Sequence, residues 1–335
     1  MAQLQIKPPL QSIYFIYGTE EYLIETIQKR IISLAITHED QAFDMSKYNM
    51  EEQPVEVAIE DANTLPFMAE KRVVIIENAF FLTGDTKKRK VEHDMDRLAE
   101  YVQSPSPDTV LIIIAPYEKL DRRKKIVKSL EKQAEVFEFT SINDSMLYQI
   151  LSDEAAQNGT EYTRQGHERL LEVSGTNASI LVNEVKKMTL YAAGEQVIDR
   201  ELVDRLAART LESDVFQMVD KIMNRKPEEA FRLLADLIHQ KEEPVKLLAL
   251  ITRQFRIALQ TDLYQKQGFT QKQIASRLRL HPYAVKIASS QISRYGESAL
   301  KKALTFCSDT DVSMKTGTMD KVVGLQILIQ KLVSL

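Results

Sequence analysis

Short apolar runs alternate with longer stretches of helical periodicity over the first 140 residues of the chain. Three of these runs, at 13–17, 72–77 and 109–115, are almost continuously apolar. Continuous runs of this kind are typical of strands that are covered on both faces. Strands that alternate with helices indicate a parallel sheet with helices packed on both sides. The pattern therefore predicts an α/β domain for residues 1–140.

Weaker periodicities complete this domain. Residues 41–47 are interpreted as a short strand, and residues 134–140, in which polar and apolar residues alternate, as the last strand. Helices are predicted between the strands, at 20–37, 54–63, 91–103 and 121–133. Parallel sheets bind ligands at the carboxyl ends of their strands, which places the expected site close to Gly18.

The strand signals stop after Thr140, and the rest of the chain has helical periodicity. Residues 141–210 are interpreted as a small helical unit. Residues 211–335 are helical throughout, with turns at glycine and proline positions. The expected fold class is therefore α/β plus all-α, in three domains.

Composition is that of an ordinary globular protein, with 44% hydrophobic and 27% charged residues. A net charge of −4 argues against a protein that coats nucleic acid over its whole surface, but it leaves room for a local basic patch. The one cysteine, Cys307, excludes a disulfide framework and a cysteine-based zinc site within the chain. Because neither a signal-peptide pattern nor a membrane-length apolar run is found, we expect a cytoplasmic protein with no membrane partner.

The turn after the first strand occupies the usual position of a phosphate-binding loop. Such a loop needs glycines for its backbone N–H groups, then a lysine and a serine or threonine for the phosphates and magnesium. The chain has Gly18, Thr19 and Glu20 there, followed by a second glutamate and no lysine. The strand at 72–77, which would carry the second nucleotide motif, ends in Glu77 and an asparagine. These four residues predict a degenerate nucleotide site.

Signals for catalysis are weak. The five histidines are scattered without metal-ligand spacing, and no nucleophile-elbow motif is present. Cys307 lies among apolar residues and is interpreted as a buried thiol. We therefore predict no catalytic residue, metal site, cofactor or small-molecule substrate.

Several segments spaced along the whole chain form a recognisable series. They are 14–18 with Glu20 and 22–23, 64–67 with 71–76, 175–176 with 183–187, 247–256, 280–286, and 309–311 with 315–317. In this order they resemble the delta-subunit family of bacterial DNA polymerase III. The resemblance implies an AAA+-like parallel α/β domain (1–140), a small helical lid domain (141–210) and a helical collar domain (211–335).

The same resemblance implies partners and a role. The partners are the β sliding clamp, ATP-binding tau or gamma subunits and a delta-prime subunit in a hetero-pentamer, and primer–template DNA. The family's delta subunit opens the clamp for loading onto primed DNA and does not hydrolyse ATP itself. The chain would then work at replication forks in the bacterial nucleoid, as a non-catalytic part of a DNA-directed DNA polymerase.

The segment Leu65, Pro66, Phe67 and Met68 lies between a predicted helix and a predicted strand. From the pattern alone, packing under the sheet is favoured for its apolar side chains. Pro66 breaks regular structure, however, and a turn presents its neighbours outward. The resemblance implies that Leu65 and Phe67 enter a hydrophobic cleft of the clamp, with Met68 as a possible substitute for one of them.

Basic residues predict contacts to the DNA backbone. The preferred set lies in and before the predicted helix 121–133, and the run 87–90 is an alternative. Most such runs are solvated faces, and neither is interleaved with aromatic residues as a base-stacking surface would be. The preferred set is Lys119, Arg122, Arg123, Lys124, Lys125 and Lys128.

Two other functions stay open at this point. Residues 270–291 resemble a helix-turn-helix, and a DNA-binding regulator would read DNA through Lys286, Ser289, Ser290 and Gln291. In the delta-subunit resemblance the same segment belongs to the collar, so a structural role is preferred. An altered ATPase ranks third, because no lysine follows Gly18.

Overall fold

The computed structural model describes residues 6, 9–85, 90–192, 197–278 and 280–335. The chain divides into two compact units, which we call unit 1 (Met1–Ile142) and unit 2 (Asn143–Leu335). The first boundary predicted from the sequence, at 140, lies close to this division. The further division of the helical part at residue 210 stays a prediction.

Unit 1 is an α/β unit. Its elements are β1 (Ile13–Gly18), α1 (Glu21–Ala35), α2 (Gln41–Asp44), β2 (Met45–Asn49), α3 (Val55–Ala62), β3 (Arg72–Glu77), α4 (Met95–Gln103), β4 (Thr109–Ala115), α5 (Lys125–Gln133) and β5 (Glu135–Phe139), with a 3-10 turn at Phe80–Leu82. The strands form one parallel sheet in the order β2-β3-β4-β1-β5.

The core of unit 1 lies on both faces of this sheet. On one face, alternate residues of β1 such as Phe15 and Tyr17 join a buried cluster with side chains of α3, α4 and α5. Helix α1 packs against β1, β3 and β4, and its buried stripe includes Leu23, Ile27 and Ile31. Every residue of β1 and β4 is buried, which confirms the expectation from their continuous apolar sequences.

Unit 2 is helical. Its elements are α6 (Asp144–Gln157), β6 (Glu161–Tyr162), α7 (Arg164–Ser174), α8 (Ala178–Ala192), β7 (Val197–Ile198), α9 (Arg200–Leu206), α10 (Leu211–Met223), α11 (Pro227–His239), α12 (Pro244–Lys266), α13 (Gln271–Leu278), α14 (Pro282–Tyr295), α15 (Glu297–Lys315) and α16 (Lys321–Val333). One large cluster joins α10, α11, α12, α15 and α16, and it contains the buried Cys307. Burial raises the pKa of the Cys307 thiol to about 11, as expected of a structural cysteine.

Three predicted boundaries were wrong in detail, one of them that of the helix predicted at 91–103, which begins at Met95, and one pair of strands was missed. Residues 41–44 are helical, and the strand predicted at 41–47 begins only at Met45. The helix predicted to begin at residue 121 begins at Lys125, because Lys124 has extended backbone geometry. The short parallel pair β6 and β7 was missed, since two residues per strand are too few to show a period.

Candidate functional site

The segment 63–70 connects α3 to β3 as an irregular loop, and a buried carboxylate holds it. The Asp44 carboxylate accepts hydrogen bonds from the backbone N–H groups of Phe67, Met68 and Ala69, at 2.5, 2.7 and 2.8 Å. Asp44 ends α2 and is 0% exposed. Three successive N–H groups that converge on one anion form a nest, here filled by the protein's own side chain.

Charges around Asp44 complete this arrangement, which we call the Asp44 clasp (Asp44, Arg72, Asp61 and the N–H groups of 67–69). Arg72 begins β3, and its guanidinium lies 3.7 Å from the Asp44 carboxylate and also donates to the Asp61 carboxylate of α3. Burial alone would raise the pKa of the Asp44 carboxyl, but the three N–H bonds and the charge of Arg72 outweigh it and lower that pKa. The clasp thus joins α2, α3, β3 and the loop.

The loop also has a fixed start. The backbone N–H and the hydroxyl of Thr64 both donate to the carbonyl of Asp61, at 3.0 and 2.7 Å, which ends α3. The side chain of Thr109 in β4 and that of Tyr101 in α4 donate to the Ala62 carbonyl. Pro66 restricts Leu65 to extended conformations. The backbone of the loop is therefore constrained both at its start, near Thr64, and at its end, at 67–69.

The apolar side chains of this loop point into solvent. Leu65 and Phe67 are each 75% exposed, and Met68 is 62% exposed. Packing under the sheet, which the pattern alone favoured, is therefore wrong for these residues. Three large apolar side chains held outward on a constrained loop are typical of a surface that a partner covers.

The degenerate nucleotide loop follows β1 and therefore lies at the carboxyl ends of the parallel strands. The loop 63–70 precedes β3 and lies at the opposite, amino ends. The N–H groups of Thr19 and Glu20 both donate to the Phe139 carbonyl of β5, at 2.9 and 3.1 Å. Gly18 has φ +135°, and a Cβ atom there would lie 2.0 Å from the same carbonyl oxygen. The groups that would cradle a phosphate are used within the protein, and only glycine fits the turn.

The two carboxylates of the degenerate site, those of Glu20 and Glu77, have different partners. Glu20 precedes α1 and accepts a hydrogen bond from the Ile142 N–H at 3.3 Å, and burial raises the pKa of its carboxyl. Glu77 ends β3, and its carboxylate lies 3.9 Å from the Lys47 ammonium. No group of metal-ligating side chains is found among the described residues.

The predicted DNA-contacting residues divide into two sets. Arg122 pairs with Glu131, Arg123 pairs with Asp121, and Lys124 donates to the carbonyls of Phe81 and Thr83 at 2.8 and 2.7 Å. Lys119, Lys125 and Lys128 are exposed and make no ion pair within the described part of the chain. The alternative run at 87–90 lies outside the described residues except for Lys90.

The segment predicted as a recognition helix is α14, which packs within the helical bundle of unit 2. Of its four reading residues, Gln291 is buried and contacts Asp220, and Ser289 accepts a hydrogen bond from Gln265 and donates to the Val285 carbonyl. Ser290 donates to the Ile287 carbonyl of its own helix, which leaves Lys286 as the exposed cation of the four. Helix α14 packs against α10, α12 and α13, as expected of a structural element.

Two residues of the loop's surroundings were missed by sequence reasoning. Asp44 contacts N–H groups 23–25 positions further along the chain, and no local pattern signals such a contact. Its neighbour Phe43 is 58% exposed, and its ring lies 6.1 Å from the Phe67 ring, centroid to centroid. Both residues fall within the segment 41–47, which the sequence indicates as a strand, and that interpretation hides their place on a helix beside the loop.

Comparisons with known proteins agree with one another. The family described as "DNA polymerase III, delta subunit" matches residues 14–140, and the family "DNA polymerase III delta subunit, C-terminal domain" matches residues 212–332. The chain is 38% identical over 326 residues to DNA polymerase III subunit delta of Bacillus subtilis, covering 97% of this chain and 94% of that one. It is 23% identical over 248 residues to a probable DNA polymerase III subunit delta of Aquifex aeolicus, covering 73% and 69%.

A solved structure matches over the same extent. The Bacillus subtilis DNA clamp loader delta protein superposes with a TM-score of 0.73 at 37% identity, covering 97% of this chain and 96% of that one. This likeness confirms the predicted fold class, a parallel α/β unit followed by helices. Within the described residues, none of the helices is long and apolar enough to cross a membrane.

Proposed function

The chain belongs to the DNA polymerase III delta-subunit family, and from this we propose that it binds the β sliding clamp through Leu65, Pro66, Phe67 and Met68. It is a subunit of a DNA-directed DNA polymerase complex, and its own contribution is mechanical. In this proposal the bound chain favours the open form of one clamp interface, so that the ring is loaded onto primed DNA.

One observation carries the proposal: Leu65 and Phe67, two positions apart, are both exposed on a loop that is held by the Asp44 clasp. Burial of two large apolar side chains contributes about 3–6 kcal/mol before ordering costs. Because the clasp fixes the loop before binding, less of that free energy is lost to ordering. This supports an anchor that enters a preformed apolar cleft of the clamp.

Clamp opening then follows from differential affinity. If the chain binds the clamp more tightly when its interface is open, binding shifts the clamp toward that form without any bond chemistry. We propose that ATP binding in the tau or gamma subunits exposes or hides this surface. The chain itself does not use nucleotide, because the N–H groups at Thr19 and Glu20 are bonded to Phe139 and no lysine is present there.

The remaining partners are proposed from the family. They are the tau or gamma subunits and a delta-prime subunit in a hetero-pentamer, and primer–template DNA. For the DNA backbone, Lys119, Lys125 and Lys128 are the best candidates because their ammonium groups are exposed. Lys124 ranks below them, since its ammonium already binds two carbonyls of the protein.

Equilibrium binding to the sliding clamp of the same bacterium, without nucleotide, tests the proposal. We expect binding by the wild-type chain and at least about a 100-fold loss in the Leu65→Ala/Phe67→Ala variant, because both anchors are removed. The matched control is Leu190→Ala/Val312→Ala, which shortens two strongly exposed apolar side chains of unit 2. Equal binding by the wild type and the Leu65→Ala/Phe67→Ala variant would refute the anchor. If the wild-type chain does not bind the clamp and binds a specific DNA sequence, the result would instead support a DNA-binding regulator that uses residues 270–291.

A further inference from the structure

We propose that Phe43 is a second contact residue for the sliding clamp, so that the clamp-binding surface is built from two separate segments of the chain. This inference rests on the proposed function, because it names a further part of the same surface. Phe43 belongs to α2, more than twenty residues before Leu65 in the sequence, and the sequence alone does not connect the two segments.

The position of Phe43 supports the inference. Its ring is 58% exposed and lies beside the exposed Phe67 ring, with a 43° angle between the two planes. Adjacent aromatic rings prefer such tilted or offset contacts over a face-to-face stack. Phe43 therefore extends the apolar surface of Leu65, Phe67 and Met68 rather than forming a separate patch.

The connection between the two segments is rigid. Asp44 follows Phe43 directly, and its carboxylate accepts the N–H groups of Phe67, Met68 and Ala69. The backbone N–H of Phe43 donates to the Asp40 carbonyl, which forms the first turn of the short helix. One carboxylate thus joins the backbone segments that carry the Phe43 and Phe67 rings, and the two segments are held together before a partner arrives.

A structural role does not account for this side chain. Among the described residues, Phe43 belongs neither to the buried cluster on the α3, α4 and α5 face of the sheet nor to the side chains packed against that cluster, and it is 58% exposed. An exposed phenylalanine contributes little to folding, whereas a buried aromatic residue at an interface is often a dominant contact. A two-segment surface also fixes the direction from which the clamp approaches, which a single loop with two anchors fixes less well.

Clamp binding by Phe43 variants of the full chain tests the inference. We expect Phe43→Ala to weaken binding about tenfold, and Phe43→Leu, which keeps most of the apolar area, to stay within about threefold of the wild type. Leu190→Ala serves as the control for loss of an exposed apolar side chain elsewhere. Thermal unfolding of each variant checks that the fold is kept.

Hydrogen exchange of the wild-type chain gives an independent measurement. Amides of α2 and of 64–69 should both gain protection in the clamp complex, whereas a one-segment surface protects only 64–69. Wild-type affinity in Phe43→Ala, together with loss of binding in Leu65→Ala/Phe67→Ala, would overturn the role of Phe43 and leave the proposed function standing. Failure of the wild-type chain to bind the clamp would overturn both.

Discussion

Two loops of unit 1 lie at opposite edges of the same parallel sheet and use their backbone N–H groups differently. The loop after β1 is at the carboxyl edge, where this class of sheet binds ligands, and its N–H groups donate to the Phe139 carbonyl. The loop before β3 is at the amino edge, and its N–H groups donate to the Asp44 carboxylate. The loop after β1 is thus closed to a ligand by the neighbouring strand β5. The nest before β3 is occupied by the protein's own Asp44 carboxylate, and its loop presents apolar side chains to solvent.

The carboxylates beside these loops differ in the same way. Asp44 is fully buried, yet three N–H groups and Arg72 favour its charged form and lower the pKa of its carboxyl. Glu20 receives one N–H bond at 3.3 Å, and burial raises the pKa of its carboxyl. Proximity to backbone N–H groups is therefore not enough to stabilise a carboxylate; the number and geometry of the bonds decide the direction.

The largest effect is expected at the closed loop, for Gly18→Ala. The new Cβ atom would meet the Phe139 carbonyl oxygen at 2.0 Å, at a φ of +135° that alanine rarely adopts. Backbone strain and overpacking together should lower the free energy of unfolding by about 3–5 kcal/mol. Urea unfolding measures the change, and Gly84→Ala is the control, because a Cβ atom there has no described neighbour within 4 Å. A Gly18→Ala chain as stable as the wild type would show that the loop is not closed in this way.

A smaller effect on the free energy of unfolding is expected for Asp44→Asn, which removes the charge of the Asp44 clasp. Hydrogen bonds to a charged group are worth more than neutral ones, so the free energy of unfolding should fall by about 2–3 kcal/mol. Hydrogen exchange should become faster at Phe67, Met68 and Ala69 while Val74 and Ile75 in β3 stay protected, and clamp affinity should fall with it. Glu39→Gln, which removes an exposed carboxylate nearby, is the control. Unchanged exchange at the loop would contradict the clasp.

The sequence predicts most of the chemistry of the loop after Gly18 and little of the arrangement around Asp44. The glycine, the missing lysine and the acidic residues after Gly18 are adjacent in the sequence, so their chemistry is visible there. Asp44, Asp61 and Arg72 come from three elements, and only the fold brings them together. The same limit explains the start of α5, since Lys124 is held by carbonyls more than forty positions earlier. Continuous apolar strands were predicted well because their burial requires no particular partner.

The smallest effect is expected for Glu20→Gln, and its pH dependence separates the two carboxylates. A folded-state pKa raised above the unfolded value contributes stability that is present below the unfolded pKa of about 4.3 and is lost as pH rises through the folded pKa. At pH 7 the variant should therefore gain stability, by less than about 1 kcal/mol, and at pH 4 it should gain none. For Asp44, whose pKa is lowered, the stabilising contribution is instead present above about pH 3.9 and is lost as pH falls through the folded pKa.

Unfolding of Glu20→Gln and Asp44→Asn across pH 3–7 should accordingly give differences from the wild type that both grow with pH but have opposite signs. Glu21→Gln is the control for Glu20, because it removes an exposed charge from the first turn of α1 and keeps the half-buried carboxylate of Glu20. A negative charge near a helix N-terminus is itself stabilising by about 0.3–1 kcal/mol, so Glu21→Gln should lose a little stability. If Glu20→Gln also lost stability at pH 7, the helix dipole and the Ile142 N–H would outweigh burial. The carboxylate at the closed loop would then be held by the same kind of interaction that holds Asp44 in the nest.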